Sequence, residues 1–158
     1  MCAIAQFRRE GPLTAKDADW VKDNFDNVNA LCANSERFRL ALESSADWRY
    51  AGNPRLAIGR LWSGIESLIG VSSELVFRVA LIAASLLARR GARRKQKFDE
   101  VRRLYSLRSK AVHGDSLSTE SLTKATYDSF ALLRDLLLLT VEQGHELTQR
   151  DFDEAVFY

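Results

Sequence analysis

FDEVRRLYSLRSKAVHG, residues 98–114, is the stretch on which the fold turns. Phe98, Val101, Tyr105, Arg108 and Val112 step by three, four, three and four, so they share one face of a helix running from about Phe98 to His113. Gly114 ends that helix, because glycine tolerates the left-handed conformation required there. Arg108 therefore projects from the packed stripe. A half-buried arginine needs an acidic partner, and Glu66, on an earlier and mostly apolar helix, is the candidate; the alternative for a lone glutamate is a solvent-facing position. Five positions after Arg108 stands His113, one of only two histidines in the chain. Arginine binds phosphate through a planar fork of N–H donors and stays charged at any working pH. Histidine both gives and takes a proton near neutrality. The pair suits holding a phosphodiester and moving the proton that breaks it. At about 100° per residue the two side chains lie roughly 140° apart on a regular helix. Either the helix loosens near Gly114, or the site is shared between two subunits.

Outward from this helix, capping signals set the others. Thr14 or Asp17 caps a first helix to about Ala33, with Trp20, Val21, Phe25, Val28 and Leu31 at helical spacing. A second runs from about Glu36 to Tyr50, with Phe38, Leu42 and Trp48 as core contacts. Asn53-Pro54 opens a third, to Ile69, that carries Leu56, Ile58, Leu61, Trp62, Ile65, Leu68 and Ile69. Gly59 and Gly64 lie inside it, each costing about 1 kcal/mol relative to alanine, which points to close approach by other helices. Ser72 or Ser73 caps a fourth, Glu74 to Ala88, apolar almost all round and ended by Gly91. Ala92–Lys97 reads as a basic, mobile linker. Ser118 or Thr119 starts the last long helix, to Gln143, whose Phe130–Val141 segment carries more apolar surface than one domain needs. Such surplus suits a partner subunit; the alternative is a central core helix. His145 reads as a surface histidine. The tail Asp151–Tyr158 is undecided between a docking strip and a last helical turn.

No alternating β-branched run or Asn-Gly hairpin competes, so the expected fold is an all-α antiparallel bundle of four to six helices. At 158 residues it is one domain: N-terminal helices over 1–52, a core over 53–144 and a short tail over 145–158. Cys2 and Cys32 make no disulfide framework, and the chain shows no C-x-x-C pair or close histidines for a metal; no cofactor is expected. Met1–Arg9 lacks a signal-peptide core, and Leu75–Ala88 is too short to span a bilayer and is broken by Arg78. A cytoplasmic protein without membrane contact is expected.

The net charge of +2 is unevenly spread. Arg89, Arg90, Arg93, Arg94, Lys95, Lys97, Arg102, Arg103, Arg108 and Lys110 face only Asp99 and Glu100, so residues 89–110 are +8 and the remainder −6. A basic block leading into the Arg–His pair is what an RNA-binding surface looks like; a solvated helix face is the plainer alternative.

Leu104–Gly114 resembles the R-x4-6-H signature of the HEPN superfamily, most nearly its ApeA-like branch, where a Y-x-x-R-x-x-x-V-H-G segment recurs. Leu61–Gly70, with Glu66 in an E-S-L setting, resembles the family's earlier helix. The likeness spans roughly residues 55–143. Many nuclease members carry Asn, Asp or His directly after the arginine; Ser109 stands there in this chain. The resemblance implies a metal-independent endoribonuclease whose two motifs meet across a homodimer. Arg108 and His113 would be catalytic, Ser109 would orient them, and Glu66 would position Arg108. It also implies RNA as substrate, a role as toxin or anti-phage effector, and an antitoxin or other regulatory protein as partner. The non-catalytic alternative is a HEPN module that binds RNA or nucleotide, or mediates dimerisation.

Overall fold

In this computed structural model, which describes residues 12–70 and 75–158, the chain is all-α and no strand occurs among the described residues. The helices are α1 (Ala15–Asn34), α2 (Glu36–Asp47), α3 (Pro54–Ile69), α4 (Leu75–Leu87), α5 (Ala92–His113), α6 (Thr119–Gln143) and α7 (Gln149–Phe157), with a 3₁₀ turn at Trp48–Tyr50. Side-chain caps set most of the starts. Thr14 and Asp17 form a capping box on α1, and Thr148 and Asp151 form another on α7. Ser35, Asn53 and Ser118 accept first-turn N–H groups of α2, α3 and α6. The caps expected at Ser72 or Ser73 lie outside the described residues. The seven helices among the described residues exceed the expected count because the tail closes a capping box and forms α7.

α3 is the central helix. Ile58, Leu61, Trp62 and Ile65 are wholly buried, and the helix packs against α2, α5 and α6. Gly64 allows this. A Cβ added there would stand 2.9 Å from the Ser44 Cβ and 3.0 Å from Leu133. Gly59 differs: its only near atom would be Val112 Cγ2, at 4.0 Å. α4 packs on α5 and α7, and Phe152 of α7 and Leu147 just before it are buried.

Several expected core positions turn out to be exposed. Val21 and Phe25 face solvent, because α1 lies at the edge of the bundle and among the described helices touches only α2 and α6. Leu42, Leu56 and Val112 are likewise exposed, the last two beside an open groove. Residues 92–97 are not a linker but the first turns of α5, which starts directly after Gly91. Most of the Phe130–Val141 segment is core, with Leu138 left exposed. Leu132, Leu133, Leu136, Leu137, Thr140 and Val141 are buried, and α1 through α5 all contact α6. Among the described residues no helix is long and apolar enough to cross a membrane.

Candidate active site

α5 is set against α3 by two successive contacts. The Tyr105 ring stands edge-on to Trp62, with centroids 5.2 Å apart, and Trp62 donates its indole N–H to Ser129 Oγ at 3.1 Å. One turn further along each helix, Arg108 Nη2 meets Glu66 at 3.2 Å from Oε1 and 3.4 Å from Oε2. Both side chains keep about a quarter of their surface, 25% and 23%. Glu66 is thus the acid that a half-buried Arg108 requires. The guanidinium carbon also lies 5.4 Å from the Tyr105 ring centroid, a cation–π distance. The Arg108 Nε–H is buried and has no acceptor.

Past Arg108, the helix stays regular. The Gly114 N–H reaches Lys110 O, Asp115 N–H reaches the same carbonyl at 3.0 Å, and Gly114 takes φ +84°. The helix therefore does not loosen before His113. His113 is exposed, and it is not among the residues that line the groove with Arg108. Within one chain the two motif residues diverge. Ser109 is half-buried and makes no side-chain hydrogen bond among the described residues, so the orienting role expected of it has no bond behind it.

Arg108 opens onto a groove of about 1090 Å³ between the 3₁₀ turn, the first half of α3 and the end of α5. Tyr50, Leu56 and Val112 supply exposed apolar surface there, and Arg55 and Arg60 add two more guanidinium groups. Arg60 pairs with Asp47 at 3.2 Å. Arg55 reaches across the groove to the motif itself. It donates to the carbonyls of Ala111 at 2.8 Å, Lys110 at 3.4 Å and Asp115 at 2.6 Å. Sequence reasoning missed this residue and the groove. A cation in the first turn of α3 opposes that helix's own dipole, and this was the available signal.

Several members of the basic block have partners within the fold. Arg94 donates to Ser85 O, Ala88 O and Ala155 O, holding the end of α4 against α7. Arg90 donates to Val156 O at 2.9 Å. These two cations tie the end of α4 and the start of α5 to the last helix. Lys95 pairs with Asp99, Lys97 with Glu100, and Arg103 with Asp128 at 3.4 Å. Arg102 lies over the Phe98 ring. Arg89, Arg93 and Lys110 are exposed and have no ion-pair partner among the described residues. Nor do the described residues contain a cluster of three His, Cys, Asp or Glu side chains fit to hold a metal. Compared with known proteins, the chain matches no protein-family model, no curated protein and no solved structure.

Proposed function

We propose that the chain is a metal-independent endoribonuclease of the HEPN type, acting as a homodimer in which Arg108 and His113 come together across the two-fold. The observation behind it is the Arg108–Glu66 pair at the groove wall. Glu66 holds Arg108 Nη2, and Arg108 lines the groove, the position that a phosphate clamp requires. In the reaction the RNA 2′-oxygen bonds to the adjacent phosphorus as the P–O5′ bond breaks. One proton leaves the 2′-hydroxyl and one reaches the departing 5′-oxygen. His113 serves as the general acid or base, and Arg108 neutralises the charge that builds on the non-bridging oxygens. The products are a 2′,3′-cyclic phosphate and a 5′-hydroxyl. An RNA-cutting toxin or anti-phage effector in the cytoplasm, restrained by an antitoxin or other regulatory protein, fits this chemistry.

The test is cleavage of RNA by purified protein in EDTA, with the cyclic phosphate identified on the product. His113→Ala should lower the rate by about 10²–10⁴-fold. It should leave thermal unfolding unchanged, because His113 is exposed at a helix end. A second reading is a non-catalytic module that binds RNA or dimerises. The divergence of Arg108 and His113 within one chain favours it. Wild-type protein that cuts no RNA, or a His113→Ala variant as active as wild type, would decide for that module.

A further inference from the structure

We propose that the groove beside Arg108 takes an unpaired nucleic-acid strand, with Tyr50 as the platform on which a base stacks and Gly59 as the floor that gives the strand room. That the natural strand is RNA rests on the ribonuclease reading. Gly59 carries the first part of the argument. It stands inside α3, where glycine weakens a helix relative to alanine. Gly64, in the same helix, is explained by the crowding of Ser44 and Leu133. Gly59 meets nothing nearer than Val112 at 4.0 Å, so the chain makes no use of the clearance it leaves. The clearance opens into the groove.

Tyr50 carries the second part. It is 81% exposed at the groove's lip and has no ring partner among the described residues. An aromatic ring that adds nothing to the core is free to stack on a ligand. The third part is charge. Arg60 and Arg108 share the groove, each held from one side by a carboxylate, which leaves donors for phosphate oxygens. Single strands are bound by this pairing of cationic groove and aromatic face, because every base has a π-face to offer. A duplex keeps its base faces stacked inside and has none for Tyr50.

The measurement is fluorescence anisotropy with a labelled single-stranded DNA, which lacks the 2′-hydroxyl and so cannot be cut by the proposed chemistry. Wild-type protein should bind it more tightly than the duplex of the same sequence. Tyr50→Ala should weaken binding on the order of tenfold, and Tyr50→Phe should preserve it. Gly59→Leu should fill the floor and weaken binding while its unfolding midpoint stays at or above that of wild type. The proposal is overturned if wild type binds no single strand, if duplex binds as well, or if Tyr50→Ala and Gly59→Leu both bind like wild type. It is overturned too if Gly59→Leu changes the oligomer mass by light scattering and leaves strand affinity alone, which would make the groove a protein-docking face. Failure of the ribonuclease reading looks different: Tyr50-dependent binding in a protein that cuts no RNA.

Discussion

A cation in the first turn of a helix meets the positive end of that helix's dipole, so an arginine there is misplaced unless another element needs it. Arg37, Arg55 and Arg94 all stand in first turns, of α2, α3 and α5. Each donates to carbonyls at the end of a different helix, where the dipole is negative. Arg37 takes Ser67 O and Leu68 O of α3, both at 2.8 Å, and Arg94 takes the end of α4. Arg55 takes the end of α5, so the turn after His113 rests on it. Arg55→Ala should lower stability by about 1–2 kcal/mol, read as a drop in urea midpoint, and speed amide exchange at Gly114 and Asp115. Lysine at this position should recover only part, because a point charge cannot span three carbonyls. Unchanged exchange at both amides would show that Arg55 does not hold the turn. Asp151 gives a pH handle. Burial pushes its carboxyl up, but the Thr148 hydroxyl and backbone N–H, with His145 nearby, outweigh this and hold it below the usual carboxylate value. A depressed carboxyl stabilises the fold above its unfolded value, near pH 4, and that contribution is lost as pH falls through the folded value. Amide protection in α7 should therefore fall below about pH 4, and fall less in Asp151→Asn. Equal acid sensitivity in both proteins would remove Asp151 as the cause.

At the scale of elements, α3 offers a matched pair of substitutions. Gly64→Ala drives a methyl into Ser44, Leu133 and the Ala41 backbone and should destabilise by about 1–3 kcal/mol. Gly59→Ala meets open space and should stabilise by up to about 1 kcal/mol through helix propensity. Thermal unfolding of the two variants should move in opposite directions; a shared direction would contradict the packing around one of them. The start of α3, the end of α5 and both ends of α6 were legible because Asn53-Pro54, Gly114, Ser118 and Gly144 are local signals, each acting within one turn. The start of α5 was not, since Ala92–Lys97 is polar and shows no apolar period even though its residue types favour helix. Nor were the exposed faces of Val21, Phe25, Leu56 and Val112 legible. Helical spacing says which residues share a face, and only the neighbours decide whether that face is covered. The Arg108–Glu66 pair was readable because a half-buried arginine demands an acid. Arg55 and Tyr50 were not, because their roles depend on chain segments brought together from far apart.

For the whole molecule, the proposed dimer can be tested through the two motif residues. Most of α6 is core, and of its Phe130–Val141 segment Leu138 remains exposed. In the proposed dimer the two-fold would pass close to exposed His113, with the Leu56–Val112 groove left for the strand. On the proposed ribonuclease reading, with α5 regular through His113, Arg108 and His113 would have to come from two chains to reach one phosphate. This makes a genetic-style mixing experiment decisive. Arg108→Ala and His113→Ala are each purified and shown inactive, then mixed under conditions that let subunits exchange. In a mixed dimer one site holds Arg108 from the His113→Ala copy and His113 from the Arg108→Ala copy; the other site holds neither. With random pairing half the dimers are mixed, and each has one of two sites restored, so activity should return to about a quarter of the wild-type value. If instead each site draws both residues from one chain, no mixed dimer contains an intact site and the mixture stays inactive. Arg108→Ala also leaves Glu66 without its partner, so that variant is checked first for folding by circular dichroism; Arg108→Gln, which keeps a hydrogen-bond donor for Glu66, serves in its place if it unfolds.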